Sequence, residues 1–109
     1  MVAKSEAEVR VRLDLNNPVF QESLSTLQKL ECHAALDTLD MLRQMTWNQV
    51  YRDRGLKWEK IVSVKPPPGI DALYSMRITQ ARRAVACRDG EFVRLLWIAP
   101  DHDSTYGKK

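Results

Sequence analysis

Asp89-Gly90 lies between two runs of β-prone residues, Arg83-Ala-Val-Ala-Cys-Arg88 and Glu91-Phe-Val-Arg-Leu-Leu-Trp-Ile98. An Asp-Gly pair in that setting is a strong signal for a two-residue β-hairpin. Centring the turn there predicts Arg88 opposite Glu91, Val85 opposite Arg94 and Ala84 opposite Leu95. A second reversal over 79–81 predicts Ile78 opposite Arg82, Arg77 opposite Arg83 and Met76 opposite Ala84. Three consecutive antiparallel strands follow, and because side chains alternate along a strand the two hairpins must agree about faces. One face collects Tyr74, Met76, Ile78, Ala84, Ala86, Val93, Leu95 and Trp97, and is the core face. The other collects Ser75, Arg77, Arg83, Val85, Cys87, Phe92, Arg94 and Leu96.

Upstream, Val9-Arg-Val-Arg-Leu-Asp-Leu15 alternates apolar and charged residues, the pattern of a half-buried strand. Asn16-Asn17-Pro18 then supplies a helix N-cap with proline at the first helical position. Phe20, Leu24 and Leu27, then Cys32, Leu36, Leu39 and Leu42, recur at helical spacing. One helix over that whole stretch would be long for so small a domain, so an αα-hairpin breaking between Lys29 and Cys32 is expected. Thr46 to Gly55 shows no regular pattern, and Leu56 to Ile61 reads as a short strand or an extended crossing. Pro66-Pro-Pro-Gly69 is a loop. The expectation is α+β: an N-terminal strand, an αα-hairpin, and a three-strand antiparallel meander forming one sheet packed on the helices. With 109 residues, a single domain over 1–109 is expected.

Charge is distributed unevenly. Residues 1–50 hold five basic and seven acidic side chains, whereas residues 51–94 hold ten basic and five acidic. The positive field thus belongs to the sheet half, which points to a polyanionic partner or to a solvated basic surface. Arg77, Arg83 and Arg94 on one sheet face, with apolar and aromatic neighbours, could line a groove for a phosphate backbone, since guanidinium groups make bidentate phosphate contacts. They could equally solubilise an exposed face, paired with N-terminal acids; register alone does not separate the two. Beyond the last strand, His102 could transfer protons near neutral pH, and Tyr106 could position a nucleophile or stack on a base. In ribonucleolytic cleavage the RNA supplies its own 2′-hydroxyl, so a base, an acid and cations suffice and no metal is required. Asp101, His102 and Asp103 are a poor metal set, because three sequence neighbours rarely converge on one ion.

Apolar runs such as Leu95 to Pro100 fall well short of the roughly 20 residues that cross a bilayer. The opening Met1-Val-Ala-Lys-Ser-Glu-Ala-Glu8 lacks an apolar signal region, so a cytoplasmic location is expected. Cys32 and Cys87, without CxxC spacing, read as reduced thiols.

The order of elements resembles the RelE/ParE superfamily of toxins from bacterial toxin–antitoxin systems. Tyr74-Ser-Met-Arg-Ile78 resembles its Y-x-h-R-h strand, where h is hydrophobic, and Arg83-Ala-Val-Ala86 its R-h-h-h strand. Leu95-Leu-Trp-Ile98 with His102 and Tyr106 is similar to its closing segment. The resemblance implies a ribosome-dependent mRNA endonuclease that inhibits translation, needs no cofactor and is held in check by a cognate antitoxin. Arg77, Arg82, Arg83 and Arg94 would bind RNA phosphates, with Arg83, His102 and Tyr106 catalytic. The superfamily also contains ParE-like toxins, which act on DNA gyrase without catalysis, and the fold can serve as an inactive interaction module. Ser75 stands where RelE-type ribonucleases often have lysine, and Ala81-Arg82 replaces their usual small-then-aromatic pair.

Overall fold

The structure is a computed structural model and describes residues 9–99. In chain order the elements are β1 (Arg12–Asp14), α1 (Pro18–Ser25), α2 (Lys29–Leu42), α3 (Trp47–Arg52), β2 (Glu59–Ile61), β3 (Leu73–Arg77), β4 (Arg83–Asp89) and β5 (Phe92–Ile98). The strands form one sheet in the order β1-β5-β4-β3-β2. Only the β1–β5 pairing is parallel; the rest are antiparallel. The α+β architecture is as expected, with Glu59–Ile61 added as an edge strand to the N-terminal strand and meander.

Asn17 caps α1, its side-chain oxygen accepting from the Val19 N–H at 2.8 Å, and Pro18 occupies the first turn. The helix pair breaks over 26–28, earlier than the Lys29–Cys32 break expected. The reason is local. Hydroxyls of Ser23, Ser25 and Thr26 donate to the carbonyls of Val19, Glu22 and Ser23, competing with helix continuation. The stretch that looked irregular contains α3, started by a capping box in which Thr46 Oγ1 accepts from Gln49 N–H and Gln49 Oε1 accepts from Thr46 N–H.

The main core lies between the helices and one sheet face. Phe20 of α1, Ala35, Leu39 and Leu42 of α2, and Trp47 and Val50 of α3 meet Met76, Ile78, Ala84, Ala86, Val93, Leu95 and Ile98. The β3–β4 register is as expected, Arg77 opposite Arg83 and Met76 opposite Ala84. The β4–β5 register is not. Its turn is centred on Gly90-Glu91, so Asp89 opposes Phe92 and Cys87 opposes Arg94, a two-residue shift that leaves the faces unchanged. Gly90 adopts a left-handed φ of 63°, which glycine reaches without steric cost.

Further along, Ala86 pairs with Leu95 and Val85 with Trp97, so Leu96 is an extra residue, a β-bulge. The bulge resets the alternation. Trp97, expected on the helix face, packs instead with Ile61, Leu73, Val85, Cys87, Leu96 and Ile70 on the opposite face, and Ile98 takes its place in the main core.

Candidate functional site

Arg77 ends β3 and Arg83 opens β4, and their pairing sets them directly opposite each other. Residues so placed have Cα atoms roughly 4.5–5.5 Å apart, and like charges there destabilise a sheet unless something compensates them. Their surroundings differ. Arg83 is only 4% exposed. Its Nε and Nη2 both donate to the fully buried Ser75 Oγ, at 3.2 and 2.8 Å, and Nη2 also donates to the Lys57 carbonyl at 2.7 Å. Three short contacts to neutral oxygens fix the plane of the guanidinium. Among the described residues its ion-pair partner is Glu59, 3.8 Å away on a largely exposed side chain, so solvent screens that pairing. Among the described residues nothing accepts a hydrogen bond from Nη1. Arg77 is half-buried and forms no ion pair with a described residue; its backbone N–H donates to the Leu56 carbonyl at 2.8 Å.

Arg94 and Arg82 are engaged elsewhere. Arg94 bridges two acids, with Nε 3.0 Å from Asp14 Oδ2 and Nη2 2.7 Å from Asp89 Oδ2. The Asn16 backbone N–H and then Arg94 hold the Asp14 carboxyl below its usual range, against an opposing push from burial. The hydrogen bond to Asp14 correspondingly raises Arg94. Arg94 sits opposite Cys87, four residues along β4 from Arg83, roughly 13 Å at the rise of a strand. The sequence reading put the three arginines on one face; the structure joins Arg77 with Arg83 and leaves Arg94 at the far end.

Arg82 turns to the helix side, its Nε 2.8 Å from Glu31 of α2. Glu31 also accepts from Thr79 Oγ1 at 2.9 Å, and these bonds, Arg82's foremost, hold its carboxyl below the usual range. Cys87, buried on the same face as Arg83, has its thiol pushed up by desolvation. His102 and Tyr106 lie outside the described residues.

The Lys57 carbonyl and Ser75 hydroxyl that orient Arg83 carry weaker sequence signals. Period-two alternation does place Ser75 on the arginine face. Nothing in the sequence marks Lys57, a non-glycine residue at a φ of 52°, as an acceptor 26 positions from its donor. Arg88 is different again, its guanidinium lying over the Trp47 ring at 4.1 Å, where it serves packing. Among the described residues no group of three or more His, Cys, Asp or Glu could hold a metal ion, and no helix is long and apolar enough to cross a membrane. Chemically, the opposed Arg77 and Arg83 put two cationic side chains on neighbouring strands, one of them fixed by three hydrogen bonds, an arrangement suited to an anion.

No protein-family model and no curated protein matches the chain. Among solved structures, it is similar to a chain of the archaeal RelE–RelB complex from Pyrococcus horikoshii OT3, with a TM-score of 0.59 and 18% sequence identity. The likeness covers 92% of this chain and 99% of that one. A five-stranded sheet with its helices on one face, superposable on that chain over nearly its whole length, gives this protein a RelE-like fold.

Proposed function

We propose that this protein is the toxin of a toxin–antitoxin pair and that it arrests translation by cleaving mRNA on the ribosome. The observation that carries the proposal is the opposed pair Arg77–Arg83. Its guanidinium groups lack close compensation by described acids, and one of them is held rigidly in the sheet. A phosphate seated there relieves the repulsion and is gripped by charge-assisted hydrogen bonds. During cleavage the RNA 2′-hydroxyl attacks the neighbouring phosphorus and the 5′-oxygen leaves. The arginines stabilise the charge that builds on the phosphoryl oxygens, while His102 and Tyr106 assist proton transfer.

The end of β5 supports this assignment of the tail, because the Ala99 N–H donates to the Arg83 carbonyl at 2.9 Å. His102 follows Ala99 by three positions in the sequence. The similar chain comes from a RelE–RelB complex, which supports a protein antitoxin as the partner here as well.

Expression of the wild-type chain is expected to stop protein synthesis and leave cleaved mRNA. The double variant Arg83→Ala/His102→Ala is expected to restore growth; arrest that persists in it removes the catalytic assignment. Inhibition of gyrase supercoiling with mRNA intact would mark a ParE-like toxin instead, and no effect on either process would leave an interaction module.

A further inference from the structure

Arg52, Arg54 and Lys57 form a second group of cations, outside the opposed arginine pair. All three are exposed, and none forms an ion pair with a described residue. Of the nearby acids, Asp53 accepts the Leu56 N–H at 2.7 Å through Oδ2, and the largely exposed Glu59 forms no ion pair with Arg54 or Lys57. Arg52 has a structural role ready to hand, since it sits in the last turn of α3, where a positive charge meets the unsatisfied carbonyls. Arg54 and Lys57 have no such role. They lie on the tight turn 53–57, closed by the Asp53 side chain and by the Lys57 N–H donating to the Asp53 carbonyl at 3.3 Å.

That turn is joined to both members of the arginine pair. The Leu56 carbonyl accepts from the Arg77 N–H at 2.8 Å, and the next carbonyl, that of Lys57, accepts from Arg83 Nη2 at 2.7 Å. The turn that carries Arg54 and Lys57 is thereby hydrogen-bonded through its backbone to Arg77 and Arg83, residues far away in sequence. Lys60, equally exposed and only three positions further on, is not on it: it pairs with Tyr74, whose side of the sheet faces the helices.

We propose that Arg54 and Lys57 bind the sugar–phosphate backbone of single-stranded RNA beside the phosphate held by Arg77 and Arg83. The protein would thereby grip several consecutive phosphates rather than one. This inference rests on the phosphate-binding reading of the arginine pair. If Arg54 and Lys57 only solvate the surface, removing their charges changes nothing in RNA binding.

The test is fluorescence anisotropy with a labelled 2′-O-methyl RNA oligonucleotide, which binds but lacks the attacking hydroxyl, over a series of salt concentrations. Each phosphate contact to a single strand contributes about 0.7 to the slope of log K against log salt. Arg54→Gln/Lys57→Asn is expected to flatten that slope by about 1.4, while Lys60→Gln leaves it in place. A double variant with the wild-type slope overturns the inference, as does Lys60→Gln reducing the slope by as much per charge, which would indicate a diffuse field. Arg77→Ala separates the two readings. If it flattens the slope and the double variant does not, only the contacts of Arg54 and Lys57 are lost; if the wild type does not bind, the arginine-pair reading falls and those contacts with it. Thermal unfolding of each variant shows that these exposed substitutions leave the fold intact.

Discussion

Ser75 is the residue on which the geometry of the arginine pair depends. A buried guanidinium is tolerated when its donors are matched, and Ser75 Oγ matches one N–H of Nε and one of Nη2. Ser75→Ala leaves both without an acceptor beside a side chain that is 4% exposed, and is expected to destabilise the protein by about 1.5–3 kcal/mol, read from the urea midpoint. An unchanged midpoint would mean that Arg83 simply swings to water. Asp14 gives a pH signature at the same scale. Its carboxyl is held low by the Asn16 N–H and by Arg94, so the folded state binds its proton less readily than the unfolded state does. The resulting stability is fully present above the ordinary carboxylate pKa of about 3.9 and is lost as pH falls through the lower folded value. The acid limb of stability against pH is therefore expected to be shallower in Asp14→Asn; parallel curves for the two proteins would refute this. That Arg77 and Arg83 share a face was legible from alternation alone. That an N-terminal acid pairs with one of these arginines was one of two readings the sequence left open; that the pair is Asp14 with Arg94 was not legible, because the two lie 80 positions apart, on strands whose pairing no local pattern announces.

Local chemistry decides the elements, even where it leaves little periodic signal in the sequence. Thr46-Trp-Asn-Gln49 is a capping box whose side chains and backbone satisfy each other, yet the six-residue α3 it starts shows too short a periodic run to stand out. Helices of this length are marginal alone, so α3 relies on its cap and on burying Trp47 and Val50. Thr46→Ala is expected to cost about 1 kcal/mol in equilibrium unfolding, and a Thr46→Ser variant to recover most of it. The bulge at Leu96 is the opposite case. Continuous apolar residues from Leu95 to Ile98 satisfy either face, so no alternation in the sequence reveals that Trp97 and Ile98 have exchanged sides. Turn chemistry at Asp89-Gly90 fixed the strand pair and its faces, although the turn itself sits one residue later.

Across the whole molecule, three helices cover one face of the sheet and leave the arginine pair to the other. The contrast between an acidic first half and a basic middle is thereby converted into position: Glu31 and Asp14 reach across to neutralise Arg82 and Arg94, while Arg54 and Lys57 sit on the turn bonded to Arg77 and Arg83. Much of this organisation was legible, because periodicity identifies layers even when registers slip. The parallel union of β1 with β5 was not, and it reaches beyond geometry. Among the described strands, the first finds its neighbour only in the last. While the chain is being synthesised, β3 and β4 can pair as soon as they emerge, but β1 has to wait until β5 has cleared the exit tunnel. Closing so long a loop is slow compared with forming a hairpin. The sheet therefore closes only when β5 arrives, after the hairpin between β3 and β4 has had time to form.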